Sequence, residues 1–141
     1  MTEREETWRR FVAAYPLEVP QEAIDNERAY IELELRHRMQ YDRLSGGGAH
    51  LFPQRELAEQ EEEIEAAAVF EAKAPRVVRA LIADLGLTVA PEELEAEAQA
   101  IAERQGASME LVRRFFGDDL SLLARDVLER KAIDWACEQS G

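Results

Sequence analysis

The stretch "AAYPLEVPQEAIDNERAY" at residues 13–30 decides how the first part of the chain folds. It contains two prolines four residues apart, Pro16 and Pro20, and an acidic run with the composition of a helix follows them. Two interpretations are open at this point. The stretch is either a linker between two domains or the defined start of one long helix.

The backbone preferences of these residues favour the second interpretation. A residue that precedes proline is disfavoured in the α region, so a helix over residues 3–14 should end at Tyr15, and Val19 should be extended. Pro20 suits the first position of a helix, where its missing N–H costs nothing. Glu22 lies near the positive end of the helix dipole. The stretch therefore predicts a helix end, a short extended spacer and a helix start within one domain.

Length and composition limit the class of protein. The chain has 141 residues, 46% of them hydrophobic, which suits one domain with a core. The net charge of −13 argues against nucleic acid and anionic membranes as partners. The sole cysteine, Cys137, excludes an internal disulfide. The N-terminus has no apolar signal core and no run is long enough to span a membrane, so we expect a cytoplasmic protein.

The helix predicted over residues 20–44 carries apolar side chains on two faces. We call these sets the first stripe and the second stripe. The first stripe consists of Ile24, Ile31, Leu35 and Met39, and the second of Tyr30, Leu33, His37, Tyr41 and Leu44. One stripe is enough for a helix that covers one core. The helix is therefore either packed on two sides or open along the second stripe, where it can bind an apolar partner.

The segment after this helix is unusually polar. Residues 45–53, "SGGGAHLFP", predict a turn or loop tip, and Pro53 can begin the next helix. In residues 54–65 the apolar side chains are Leu57 and Ile64 alone, so this helix should be largely solvated, as a surface face or as one leg of a hairpin.

The remaining chain also predicts helices. The helix continues over residues 66–87, where Pro75 should kink or break it and Gly86 should end it. Residues 91–106 form the next helix, Ser108 caps a short one, and Asp118 or Asp119 caps the last.

The apolar faces of these helices define a predicted core. Its members are Trp8, Phe11, Val12, Val77, Val78, Leu81, Ile82, Leu85, Leu94, Ala98, Ile101, Leu120, Leu123, Val127, Leu128, Phe115, Phe116 and Trp135. Because Phe115 and Phe116 are adjacent on one helix, one of them can be exposed. We predict an all-α, elongated helical bundle.

The sequence contains no recognisable catalytic or metal-binding motif. Its two histidines, His37 and His50, lack the spacing of metal ligands, and Cys137 has no histidine nearby in sequence. The "GGG" of the loop lacks the lysine of a P-loop. We expect neither an enzyme nor a cofactor.

Three segments resemble the C-terminal domain of bacterial trigger factor. "YPLEVPQEAIDNERAYIE" at residues 15–32 resembles its short turn and acidic long-helix start. "RVVRALIADLGLTVAPEELEAEAQAIAERQGAS" at 76–108 resembles its G-[IL]-x-V-x-x-E-E-[LI] passage, and "LARDVLERKAIDW" at 123–135 resembles its closing helix. The segments occur in the same order as in that family, and the resemblance spans about residues 8–138.

The resemblance implies a fold and a function. It implies one helical domain over 1–141, with an arm hairpin at about 20–75 and a body formed by about 76–138 plus 3–14. It also implies an ATP-independent chaperone (holdase) that binds unfolded or nascent polypeptides through dispersed apolar patches. The ribosome-docking and prolyl isomerase domains of trigger factor do not fit within this chain, so those activities are not carried over. The alternative is a helical interaction module for one folded partner or for a homodimer.

Together the stripe pattern and the resemblance predict a set of client-contacting residues, each of which can instead belong to the core. The predicted contacts are Tyr30, Leu33, Tyr41, Leu44, Leu51, Phe52 and Phe70.

Overall fold

The computed structural model describes residues 1–46 and 53–140. Within them every regular element is a helix, and no strand occurs, which confirms the all-α class. The elements in chain order are α1 (Glu3–Ala14), α2 (Gln21–Leu44), α3 (Pro53–Glu59), α4 (Glu61–Leu85), α5 (Pro91–Gln105), α6 (Met109–Phe116), a 3-10 turn (Ser121–Leu123) and α7 (Ala124–Ser140).

The helix boundaries follow the proline and glycine signals closely. Pro20 lies one residue earlier than predicted, as the N-cap of α2, with a ψ of 136°. Its carbonyl accepts the N–H groups of Ala23 and Ile24, so it begins the hydrogen-bond ladder while its own ψ stays extended. α3 begins at Pro53 as predicted.

Helix α4 passes through Pro75 without a break. Proline in a helix interior removes one hydrogen bond and costs about 3 kcal/mol, so the break predicted as one alternative had a physical basis. Ala72 and Val77, on either side of Pro75, are both fully buried, and their packing favours the helical backbone on both sides. Gly86 ends the helix as predicted, with a φ of +60° and a hydrogen bond from Leu87 N to Ile82 O.

The chain forms two compact units. Met1–Phe11 with Val78–Gly141 make one, which we call the terminal unit, and Val12–Val77 make the other, the central unit.

The terminal unit is built around small and branched side chains from α5, α6 and the 3-10 turn. Its core cluster consists of Ala98, Ala102, Val112, Leu120 and Leu123, with Leu94, Ile101, Met109 and Phe116 packed against it. Ser108 caps α6 as predicted, because its hydroxyl accepts the N–H of Leu111. Asp119 accepts the N–H of Ser121 at the start of the 3-10 turn. The prediction that Asp118 or Asp119 caps the last helix is wrong, because the 3-10 turn intervenes and α7 begins only at Ala124.

Aromatic side chains join α1 to α7. Trp8 and Phe11 stack with ring centroids 6.0 Å apart, and Phe11 meets Trp135 edge-on at 6.2 Å. The Arg4 guanidinium lies 2.6 Å from the Asp134 carboxylate. These contacts hold the first eleven residues within the terminal unit.

Lys131 anchors the turn before α5 to α7. Its ammonium donates to Thr88 O and to the Glu93 carboxylate, both at 2.7 Å. Glu93 also accepts the N–H of Ala90. The hydrogen bond from Lys131, with that from Ala90, holds the pKa of the Glu93 carboxyl below its usual value.

The central unit has a smaller core than the terminal unit. Met39, Leu57 and Ile64 are buried together, and Ile31 and Leu35 pack against them. Leu57 and Ile64 are the two apolar residues predicted in the polar segment. Beside this cluster, the Arg28 guanidinium lies 3.0 Å from Glu65 and 3.7 Å from Glu61, which joins α2 to the start of α4.

Truncation of a core leucine tests the terminal-unit cluster. Leu123 is 2% exposed and its neighbour Leu122 is 66% exposed. We expect Leu123→Ala to lower the free energy of unfolding by about 2–5 kcal/mol because it leaves a cavity. Leu122→Ala should change it by less than about 0.5 kcal/mol. Urea denaturation followed by circular dichroism measures both, and equal losses would contradict the assignment of Leu123 to the core.

The Lys131–Glu93 contact predicts a pH dependence of stability. Because the pKa of Glu93 is lowered on folding, its contribution to stability is present above the pKa of the unfolded chain and is lost as pH falls through the folded pKa. The melting temperatures of the Glu93→Gln and Lys131→Met variants should therefore fall less than that of wild type between about pH 6 and pH 3. Thermal melts across this range measure the effect, and an acid-induced loss as large as in wild type would refute it.

Candidate functional site

The second stripe of α2 is exposed. The exposed fractions are 60% for Tyr30, 51% for Leu33, 71% for Tyr41 and 80% for Leu44. His37, which lies between them, is exposed as well. The interpretation that α2 is packed on two sides is therefore wrong for the described chain, and the second stripe is open.

The small number of apolar side chains available to pack against α2 explains why one stripe is covered and the other is open. Helix α3 and the first turn of α4 offer Leu57 and Ile64, which contact the first stripe around Met39. At 100° per residue the second stripe lies on the opposite side of α2 from the first. Two side chains on one side of a helix cannot also cover the side that faces away from them.

The second stripe has the dimensions of a contact for a short segment. Tyr30 and Leu44 are fourteen positions apart, which corresponds to about 21 Å along the helix axis. An extended peptide of about six residues has the same length. Large apolar side chains exposed in a row are typical of interaction sites, whereas isolated ones are common on any protein.

The other predicted contact residues are placed differently. Phe70, on α4, is half-buried and has an interaction of its own within the fold. Leu51 and Phe52 lie outside the described residues. Four of the seven predicted residues are therefore brought together on one face of α2.

A second apolar surface lies on α6 in the terminal unit. Phe115 is 77% exposed and Leu111 is 49% exposed, whereas Phe116 packs against the core cluster. The prediction that one of the two phenylalanines can be exposed is confirmed, and the assignment of Phe115 to the core is wrong. Next to them is a groove of about 370 Å³. Its lining consists of Ile101, Gln105, Ala107, Leu111, Val112, Phe115 and Phe116.

Leu111 is exposed although no such exposure was predicted for it, and Leu85, predicted in the core, is 38% exposed. A signal for Leu111 was present, because α6 has two apolar pairs at four-residue spacing. Val112 and Phe116 form the pair that faces the core, so Leu111 and Phe115 must project to a neighbouring face. Leu85 lies in the last turn of α4.

The described residues contain no cluster of three or more His, Cys, Asp and Glu side chains able to hold a metal ion. In the same part of the chain, no helix is both long and apolar enough to cross a membrane. The arrangement is that of an all-helical protein whose conspicuous surface features are apolar side chains on α2 and α6.

Comparison with known proteins identifies the family. The family model for the bacterial trigger factor protein C-terminus matches residues 2–138. The chain belongs to this family, which confirms the resemblance seen in the sequence. Trigger factor is a chaperone family, and its C-terminal domain is the chaperone part rather than the isomerase domain. Family membership supports a chaperone-related role in general terms.

Two individual proteins show the extent of the similarity. The chain is 26% identical over 124 residues to trigger factor from Carboxydothermus hydrogenoformans, an alignment that covers 88% of this chain and 29% of that protein. The chain thus spans under a third of the length of this relative. A solved structure of trigger factor domains from Thermotoga maritima has a TM-score of 0.63 and 20% identity, and the match covers 98% of this chain and 81% of that one.

Replacement of the most exposed stripe residues should leave the fold intact. Tyr41 and Leu44 are 71% and 80% exposed, so we expect Tyr41→Ser/Leu44→Ser to lower the free energy of unfolding by less than about 1 kcal/mol. Met39 lies two residues before Tyr41 on the same helix and is 6% exposed, so Met39→Ala should cost about 2–5 kcal/mol. Thermal and urea unfolding of the three proteins measures the difference. A large loss for the double variant would place these side chains in a core.

Proposed function

We propose that the chain is an ATP-independent holdase module that binds unfolded or nascent polypeptides. The second stripe of α2 and the apolar surface of α6 are its contact surfaces. No nucleotide or metal takes part in this function, because binding and release follow from the exposure of apolar groups on the two partners.

The observation that carries the proposal is the row of exposed side chains on α2. Tyr30, Leu33, Tyr41 and Leu44 are all more than half exposed. Each side chain that is moved from water into contact with a client contributes about 25 cal/mol per Å² of apolar area removed from water. This attraction has no directional requirement, so it accepts clients of many sequences.

The presence of one apolar surface in each compact unit supports weak and general binding. The α2 stripe belongs to the central unit and the α6 surface to the terminal unit. Neither is a deep pocket that demands one ligand shape. Surfaces that recognise apolar content without a dominant anchor favour breadth of clients over affinity.

We also propose that the two units correspond to the arm and the body of the family's chaperone domain. The arm extends over about residues 20–75, and the body comprises about 76–138 plus 3–14. The compact units found in the structure, Val12–Val77 and Met1–Phe11 with Val78–Gly141, support this division.

Refolding experiments test the proposed function. Light scattering should be followed as two unrelated denatured proteins are diluted into buffer, with and without this chain and without nucleotide. We expect near-stoichiometric amounts of the chain to suppress aggregation of both. The Tyr41→Ser/Leu44→Ser variant should suppress it less, because about half of the α2 stripe is lost.

Glu34→Ser/Gln40→Ser is the matched control. Glu34 and Gln40 are exposed polar residues on the same helix, so this variant carries the same two serines but keeps the stripe. It should suppress aggregation as well as wild type. Equal impairment of the two double variants would assign the effect to α2 helicity, and no suppression by wild type would refute the holdase proposal.

The contiguity of the α2 stripe favours a second candidate, an interaction module for one folded partner or a homodimer. The stripe then pairs with an apolar face of similar length on that partner. Such a module should suppress aggregation of neither denatured protein. A homodimer should show twice the chain mass in light scattering, and Tyr41→Ser/Leu44→Ser should restore the monomer mass.

A further inference from the structure

The arginines of the chain are not distributed like its acids. In α2, residues 22–34 contain five acids, Glu22, Asp25, Glu27, Glu32 and Glu34, and one base, Arg28. The following ten residues contain three arginines, Arg36, Arg38 and Arg43, and one acid, Asp42. In a chain of net charge −13, the C-terminal part of α2 is thus locally positive.

These three arginines also lack the partners that most others have. Arg4, Arg28 and Arg130 each lie within 3.0 Å of a carboxylate oxygen. Arg113 and Arg125 are similarly paired. Arg36, Arg38 and Arg43 are exposed, and none of them forms an ion pair with another described residue. Their charges are available to a molecule that binds at this end of α2.

The arginines flank the second stripe on both sides. Arg38 is three residues before Tyr41, so the two are neighbours on the helix surface. Arg36 has the same relation to Leu33. Arg43 is seven residues after Arg36 and lies on the same side of the helix. The part of the stripe from His37 to Leu44 is therefore bordered by arginines on both sides, whereas Glu34 lies beside Leu33.

From this placement we infer that the C-terminal half of the α2 stripe binds polypeptide segments in which apolar residues are flanked by Asp or Glu. Tyr41 and Leu44 contact the apolar residues, and the arginines pair with the flanking carboxylates. This inference rests on the proposed function and adds a preference among clients. Arginine suits the role because its planar guanidinium binds a carboxylate through two parallel hydrogen bonds.

Local charge governs this contact despite the net charge of the chain. At physiological ionic strength the Debye length is about 8 Å, so distant acids are screened while charges in contact are not. The exposed apolar side chains beside the arginines favour a polypeptide over a nucleic acid, because they gain from contact with apolar side chains of the bound segment. The preference should weaken as salt is added.

Two labelled peptides test the inference by fluorescence anisotropy. They share one apolar segment, and one carries three glutamates around it where the other carries three lysines. The variant Arg36→Gln/Arg38→Gln/Arg43→Gln should bind the glutamate peptide about tenfold more weakly than wild type at low salt, as expected for the loss of three exposed ion pairs. Its binding of the lysine peptide should be unchanged or tighter.

A second triple variant controls for net charge. Arg79→Gln/Arg104→Gln/Arg125→Gln replaces exposed arginines on α4, α5 and α7 and alters the charge by the same amount. It should bind the glutamate peptide within about twofold of wild type. Equal weakening by the two triple variants would overturn the inference, because net charge alone would then explain it.

The other possible results of these binding measurements also test the inference. If the glutamate peptide bound the α2 variant as tightly as it bound wild type, the inference would be overturned. The same would follow if the peptide bound neither protein. If wild type still suppressed aggregation in the refolding assay, the proposed function would stand without it. A single-stranded oligonucleotide that bound wild type as tightly as the glutamate peptide, and was lost in the α2 variant, would assign the arginines to phosphate and overturn the inference.

Discussion

The shortage of apolar side chains opposite α2 determines which surface of the central unit stays exposed. Residues 54–65 contribute Leu57 and Ile64 to the core and are otherwise polar or alanine. These two residues suffice to bury Met39 and to pack Ile31 and Leu35. No apolar residue larger than alanine remains in this segment to cover the opposite side of α2. An amphipathic helix with one partner buries one stripe, so a second stripe on such a helix stays in water unless another molecule covers it.

Helix boundaries were predictable because they depend on neighbouring residues alone. Proline at positions 20, 53 and 91 and glycine at positions 86 and 106 act through their own backbone geometry, and the helices begin or end within a residue of them. The hydroxyl cap at Ser108 is local as well. The inner faces of α5 and of the 3-10 turn, and the burial of Val127 on α7, were predicted correctly, because small and branched residues at helical spacing can be recognised without knowledge of their partners.

Exposure was harder to predict because it depends on what lies across from each helix. The second stripe has the same periodicity whether it is buried or open, and its state follows from the composition of another segment. The same reason explains the errors at Leu85 and Phe115, which fit a helical core pattern but meet no partner that covers them. Pro75 is the opposite case, because a local preference for a break is outweighed by the burial of Ala72 and Val77 around it.

Interface size favours extended clients over a single folded partner. The exposed parts of Tyr30, Leu33, Tyr41 and Leu44 amount to on the order of 400–500 Å², whereas a stable interface between folded proteins needs about 800 Å² on each partner. An unfolded chain does not need one large surface. In the proposed function, a client segment that rests on α2 leaves the other segments of the same chain free to make further weak contacts. Several weak contacts of this kind would retain a long unfolded chain better than a short or folded one.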